Sequence, residues 1–360
     1  MNKKDLSTLK KNIGAEDPSP ISRIASCYVD IGKHEAKYQD AMFFGRVDLD
    51  ESYQYISFAK KGLTGKIGKN ILNLSTDGNI LDKIRKEAMQ NMDSVKELCD
   101  MIIENYPSEE KYAIIILYGC FDIPAKEEEG EEESEYVHDF VQVLIHPCSL
   151  TKPGITYDYK KNVFEDLRKN TVVGQPVYSF FYPSLDDGTT DLTSMVFYSK
   201  NNSMALSKDL LFNVFSAKLN TTPEEQKTIF DDLLTSGFQG EVPFDSMKQI
   251  YQRISEISKS AEYAGETSVL STSDITDIIS EYADMGDDDR KAMKEIAEQY
   301  EDASISPANI APGKISIETE EAIIKISIDN LPSIKKETIK GEEYYLIPVR
   351  NSTVEKITVS

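Results

Sequence analysis

The sequence predicts an α+β fold: a mixed, largely antiparallel sheet with helices, followed by a helical hairpin and a small all-β C-terminal unit. Three observations lead there. Along residues 1–257 the apolar positions switch repeatedly between the spacing of a strand and that of a helix. The two periods mix without a β-α-β rhythm, which favours antiparallel pairing over a doubly wound parallel sheet. A polar, aperiodic stretch, Ser258 to Ser273, then precedes a helical and a strand-like end. The expected organisation is an α+β domain over 1–257, a linker over 258–273, a helical hairpin over 274–306 and a small β domain over 307–360.

In chain order, Lys4 to Asn12 reads as a short polar helix, and Arg23 to Asp30 with Glu35 to Phe44 as a hairpin around Ile31-Gly32-Lys33. Leu49 to Lys61 is a helix, with Asp50 as its N-cap and Gly62 as its stop. Asn70 to Ser75 is a strand. Ile80 to Tyr106 reads as one long helical stretch, because Ile84, Ala88, Met92, Val95, Cys99 and Ile102 recur every three or four residues. Lys111 to Phe121, with Ile114-Ile115-Ile116, is apolar on both parities, as a strand covered on both faces must be. Tyr136 to His146 is its partner; a small hairpin at Tyr157 to Phe164 and strands at Val177 to Tyr182 and Thr193 to Ser199 complete the sheet region.

Three helices follow, Ser207 to Phe215, Pro223 to Thr235 and Asp245 to Lys259. Thr222, Pro223 and Glu225 form the capping signal of the second. Ile275, Ile278, Ile279 and Tyr282, then Met293, Ile296, Ala297 and Tyr300, mark two amphipathic helices hinged at Met285-Gly286-Asp287. After Pro312 alternation sets in at Ile315/Ile317, Ile324/Ile326/Ile328, Tyr345/Ile347/Val349 and Val354/Ile357/Val359, which is about four strands.

Charge narrows the function classes. With 62 acidic and 40 basic residues the net charge is −22, a field that repels nucleic-acid phosphates and anionic lipid. Duplex nucleic acid and a basic membrane anchor are therefore excluded as partners. The N-terminal Met1 to Leu6 shows no signal-peptide pattern, and the longest apolar run is about half of the ~20 residues a membrane helix needs. The four cysteines (Cys27, Cys99, Cys120, Cys148) lack a C-x-x-C pair and read as reduced thiols. A cytoplasmic location is expected.

Several segments carry candidate chemistry. Gly62 to Asn70 is a glycine- and lysine-rich loop, and Gly65, Lys66, Gly68, Lys69 and Asn70 are its candidate phosphate-binding residues, through freed backbone amides and two cations. The P-loop pattern fails: Leu63 stands at the first glycine, Asn70 at the hydroxyl, and the loop follows a helix and precedes a strand. Asp186, Asp187 and Asp191 gather around an Asp-Gly turn and are candidate Mg²⁺ ligands. The bland alternative there is a hairpin turn whose Asp187-Gly188 supplies positive φ. A phosphatase nucleophile is ruled out, since its position is occupied by Leu185. His146-Pro147-Cys148 places a thiol and an imidazole on one strand face, without an orienting third group. Only three histidines occur, so no zinc set is suggested, and Glu127 to Glu135, with seven Glu in nine residues, reads as a solvated loop. The EF-hand pattern over Asp284 to Glu295 fails at Gly286 and Asp289.

Several longer strings resemble one family. They include Arg23-Ile24-x-x-Cys27-Tyr28-Val29, Gly65-x-Ile67-Gly68-Lys69-Asn70-Ile71-Leu72-Asn73, Lys152-Pro153-Gly154-Ile155-x-Tyr157, Thr190-Asp191-x-x-Ser194-x-x-x-Tyr198-Ser199-Lys200-Asn201 and Ala308-Asn309-Ile310. Together they resemble a bacterial family, the domain of unknown function numbered four-three-one-seven, over nearly the whole chain. The resemblance implies a cytoplasmic protein of low-GC Gram-positive bacteria and brings no activity, cofactor or site residue with it. From the residues alone, the leading expectation is a non-catalytic protein that binds a macromolecular partner, a protein or a second copy of itself. The alternative is an enzyme or sensor for a phosphate-bearing small molecule, with Lys66, Lys69 and Mg²⁺ at Asp186, Asp187 and Asp191.

Overall fold

A computed structural model describes residues 1–360 except 125–134, 168–169, 202–206, 265–266, 312, 319–321 and 349–360. The chain divides into two units, Met1–Glu224 and Glu225–Ser360. In the first, helix α1 (Lys3–Ile13) leads into strands β1 (Ile21–Asp30) and β2 (Glu35–Phe43). Helix α2 (Leu49–Lys61), strand β3 (Ile71–Ser75) and helices α3 (Ile80–Lys86) and α4 (Met92–Asn105) follow. The long strands β4 (Tyr112–Pro124) and β5 (Glu135–Leu150) come next. Short strands then run β6 (Gly154–Asp158), β7 (Val163–Leu167), β8 (Thr171–Val173), β9 (Tyr178–Tyr182), β10 (Ser184–Asp186), β11 (Thr189–Asp191) and β12 (Ser194–Ser199), before helix α5 (Lys208–Phe215).

The main sheet runs β2-β1-β4-β5-β9-β12-β3, with β8 paired to the end of β5, and its ladders are antiparallel. Both faces are covered. Tyr112, Ile114 and Ile116 of β4, Val141, Val143 and Ile145 of β5 and Phe180 of β9 pack under α3, α4 and α5. Ile115 and Leu117 of β4, Phe140 and Leu144 of β5 and Phe181 of β9 pack under α1 and α2. The isoleucine run in β4 thus fills two cores by strand alternation, which is why it carries no polar position. Gly62, which ends α2, is right-handed at φ −62°. Its role is close approach: a Cβ there would lie 2.6 Å from Ser179 Oγ and 2.8 Å from Leu144 Cδ2, so the helix end rests directly on the sheet.

In the second unit, α6 (Pro223–Phe238), α7 (Phe244–Tyr263), α8 (Thr272–Tyr282), α9 (Asp287–Gln299) and the single turn α10 (Pro307–Ile310) share one core. Ile275, Ile278, Ile279 and Met293 are buried in it, as their helical spacing predicts. Strands β13 (Lys314–Glu318) and β14 (Ile323–Ser327) form one hairpin, and β15 (Lys335–Ile339) and β16 (Glu342–Leu346) another. No described helix is long and apolar enough to cross a membrane.

The chain is α+β, as its periods predict, and several details differ from the reading above. The stretch Ile80 to Tyr106 is two helices, broken where Ala88 and Met89 take φ of 47° and 51° and Asn91 caps α4 by accepting from the Asp93 N–H. The N-cap of α2 is Asp48, not Asp50. The segment read as a linker starts as helix, since α7 runs to Tyr263, and α6 to α9 share a core. The C-terminal strands pair as two separate hairpins, and the polar β15 carries no alternation to betray it. The expected strand at Val354 to Val359 and most of the Glu127 to Glu135 loop lie outside the described residues.

Candidate functional site

The glycine-lysine loop folds onto itself. Lys66 C=O accepts from the N–H groups of Lys69 (3.2 Å), Asn70 (2.9 Å) and Ile71 (3.1 Å), and Gly68 N–H, at φ 81°, donates to Ile71 C=O at 2.8 Å. The amides of Gly68, Lys69 and Asn70, three of the candidate phosphate donors, are therefore taken up by the turn itself. Asn70 Nδ2 donates to Ser199 C=O at 3.2 Å, and Ser199 N–H donates to Asn70 C=O at 2.9 Å, which sews the loop to the end of β12. Gly65 has a packing reason, since a Cβ would fall 2.5 Å from Asn70 Cβ. Lys66 is exposed and Lys69 half-buried.

The acidic turn belongs to the β10–β11 hairpin, with Asp187 and Gly188 at φ 47° and 79°. Their N–H groups donate to the carboxylate of Asp5 in α1, at 3.2 and 2.8 Å. Asp186 meets the α-amino group of Met1 at 3.3 Å. Asp191 accepts from Thr193 N–H at 2.9 Å and Thr193 Oγ at 2.6 Å; burial raises its carboxyl, but these bonds outweigh burial and hold it below the usual range. The carboxylates of Asp186 and Asp191 thus turn to different partners, Met1 and Thr193, while Asp187 binds Asp5 through its backbone. Among the described residues no group of three or more His, Cys, Asp or Glu side chains converges as a metal set.

The two segments lie apart. In the β3–β12 ladder Ile71 pairs with Tyr198 and Ser75 with Ser194. The glycine-lysine loop enters at one end of that ladder, and the acidic turn precedes β12 at the other. Four register steps, or roughly 13 Å of strand, separate the ends. On this geometry the double change Lys66→Ala/Lys69→Ala is expected to leave the protein folded, and millimolar phosphometabolites with Mg²⁺ to give a flat thermal-shift screen. A ligand-dependent rise that the double change abolishes would restore the phosphate reading, since each charge-assisted contact is worth ~1.5–3 kcal/mol.

Sequence reasoning missed a buried polar row on β5. His138, Gln142 and His146 recur at every fourth residue, so strand alternation places them on the α1/α2 side with Phe140 and Leu144. His138 Nδ1 lies 2.8 Å from Thr190 Oγ, and its ring sits against Phe121 and Phe181. Gln142 Nε2 donates to Ala59 C=O and Ser179 Oγ, both at 3.0 Å, and His146 Nδ1 lies 2.8 Å from Gly174 C=O. Burial pushes both imidazoles down to about 4, with the Arg85 guanidinium adding to the effect at His138 and the Gly174 bond opposing it at His146. Both rings are neutral near pH 7 and enclosed. The His146–Cys148 couple is placed on one face as expected, but the imidazole turns to Gly174, and burial pushes the Cys148 thiol up.

A cleft of about 280 Å³, with Asn79, Lys83, Glu97 and Asn213 among its walls, lies between α3, α4 and α5. A Lys83–Glu97 ion pair at 3.1 Å joins two of those walls. It is at the small end of ligand pockets.

Among the described residues, a cluster of exposed apolar side chains marks the β6–β7 hairpin, whose strands pair with each other. Tyr157 stands opposite Phe164, and Ile155 shares the Tyr157 face by alternation. Tyr157 contacts Phe164 and Tyr159 with ring centroids at 5.0 and 5.1 Å. Yet Ile155, Tyr159 and Phe164 are 78%, 85% and 77% exposed. On the other face Lys161 bridges Asp158 and Glu165 at 3.0 Å each. One face is apolar and aromatic, and it stays open to solvent among the described residues.

The fold is α+β, and the β6–β7 hairpin carries a cluster of exposed apolar side chains. The sequence profile of the family described as Domain of unknown function (DUF4317) matches residues 1–358, and the chain belongs to that family. A search of curated proteins finds no match.

Proposed function

We infer that the chain is a non-catalytic protein that binds a macromolecular partner, and that its contact element is the aromatic face of the β6–β7 hairpin. The observation that carries this reading is the exposure of Ile155, Tyr159 and Phe164 on one small hairpin. A buried aromatic side chain removes about 150–250 Å² from water. At about 25 cal/mol per Å² the uncovered rings forgo several kcal/mol that a partner surface recovers.

Charge selects the partner. Residues 150–170 carry five basic residues (Lys152, Lys160, Lys161, Arg168, Lys169) against three acidic ones (Asp158, Glu165, Asp166), a local +2 in a chain of −22. An acidic protein surface complements that segment, and a second copy of this chain supplies one. Self-association through the hairpin is the form this reading takes, in the cytoplasm, where the four free cysteines stay reduced. Duplex nucleic acid is disfavoured by the same net charge.

Sedimentation velocity tests it. Wild type should show concentration-dependent association, and Ile155→Ser/Tyr159→Ser/Phe164→Ser should sediment as a monomer with unchanged circular dichroism. Wild type that stays monomeric up to roughly 100 µM, where any association better than about −5.5 kcal/mol is visible, removes the second copy as the occupant.

A further inference from the structure

We propose that the cleft between α3, α4 and α5 binds a free α-amino acid with an aliphatic side chain. Its volume is about 280 Å³. At ~30 Å³ per water that is room for roughly nine non-hydrogen atoms, which suits a small metabolite and is too little for a nucleotide.

The walls are fixed from behind. Thr76 and Asn79 are 8% and 5% exposed. Asn79 Nδ2 donates to Thr76 Oγ1 at 3.0 Å, and Thr76 Oγ1 donates to Phe215 C=O at 2.5 Å. This relay joins the start of α3 to the end of α5, where Thr76 and Ala217 also form a β-bridge. On the other side Asn213 Nδ2 donates to Asn105 Oδ1 at 2.7 Å, which ties α5 to the last residue of α4. The frame therefore exists before a ligand arrives, and little ordering is left for binding to impose.

Two opposite charges meet across the frame. Lys83 Nζ of α3 lies 3.1 Å from a carboxylate oxygen of Glu97 of α4, and both side chains are about half exposed. An exposed pair of this kind contributes little to stability, so a ligand parts it at small cost. The Asn213 carboxamide lines the same space, and Ile80, Met101 and Val214 give it an aliphatic surface.

One cation, one anion and an aliphatic wall in one small space are the complement of an α-amino acid. The ligand carboxylate pairs with Lys83, and its ammonium donates to Glu97 and to the carbonyl oxygen of Asn213. Its side chain rests on Ile80, Met101 and Val214, where burial of aliphatic surface favours it. A phosphate ester meets a single lysine and a carboxylate that repels it. An amine or a carboxylic acid alone leaves one of the two charges without a partner. The site shares no residue with the β6–β7 hairpin, and its test does not depend on self-association.

Isothermal titration calorimetry on the full chain is that test, with L-leucine as the probe. L-leucine should bind one to one with a Kd below about 1 mM. Isopentylamine, which lacks the carboxylate, and isocaproate, which lacks the ammonium, should bind at least tenfold more weakly. Glu97→Gln and Lys83→Met should each weaken L-leucine by at least tenfold while the circular dichroism and melting temperature stay near wild type, because both side chains are half exposed. The two analogues act on the unaltered protein, so the result is decisive even if a variant loses its fold. If none of L-leucine, L-valine and L-methionine gives heat at about 10 mM, where a Kd of about 1 mM is easily seen, the proposal is overturned. It is equally overturned if isopentylamine or isocaproate binds as well as L-leucine, or if binding survives both substitutions.

Discussion

Lowering the pH from 6.5 to about 4 should strip roughly 3 kcal/mol from the first unit for each of His138 and His146. Both imidazoles are pushed by burial down to about 4, against an ordinary value near 6.5. Above pH 6.5 they are neutral in the folded and the unfolded chain, and protonation does not distinguish the two states. Between 6.5 and about 4 the unfolded chain takes up protons that the folded chain refuses, so stability falls as pH falls. Below about 4 both states are protonated and the loss is complete. A depression of about 2.5 units at about 1.36 kcal/mol per unit gives the figure for each ring. Native-state exchange of β5 amides reports the opening free energy of the sheet and is the measurement to make. His146→Asn keeps an N–H where Nδ1 faces Gly174 C=O and removes the titration, so the acid slope should lose about one proton. An unchanged slope would mean that His146 is protonated in the fold.

The neighbouring strand β4 and the elements around it show what was legible in the sequence and what was not. The isoleucine run of β4 announced a strand covered on both faces, because no other use of such a run avoids water. Helix α2 was readable in its span and its C-terminal end, since its apolar spacing stops where Gly62 stands, but not in its N-cap, which is Asp48. The break between α3 and α4 was not, because Ala88 and Met89 favour helix and continue its spacing. The glycine-lysine loop was visible as an unusual composition, but which carbonyl its amides serve is decided by the β3–β12 ladder. The hairpin at Tyr157 to Phe164 was visible in the sequence; its apolar face, with Ile155 and Tyr157 on one strand opposite Phe164, follows from the register. That it stays uncovered among the described residues is a tertiary fact.

Asp5→Ala should be the most damaging single change at the acidic turn, costing about 3–5 kcal/mol and lowering the melting point by about 10 °C or more. Asp5 is 1% exposed, and its carboxylate accepts three backbone N–H bonds: Asn2 at 2.8 Å, Asp187 at 3.2 Å and Gly188 at 2.8 Å. The first closes the capping box of α1; the other two tie that helix to residues 182 and 183 positions away. Alanine removes the acceptor that these three part-buried N–H groups share and with it the tie between α1 and the β10–β11 turn. Asp5→Asn keeps the shape and one acceptor oxygen, so it should cost less, about 1–3 kcal/mol. The ordering matters more than either number. If the turn at Asp187-Gly188 is a structural joint, the damage follows Asp5, which donates nothing to the acidic string in the sequence. If the turn is instead a cation site, Asp186→Ala and Asp191→Ala should outweigh Asp5→Ala, and Mg²⁺ should raise the wild-type melting point. A denaturant titration of the three variants, with and without Mg²⁺, separates the two. The bonds on Asp5 favour the joint: a carboxylate already holding three N–H groups has a structural task, and the turn it holds needs no metal to keep its shape.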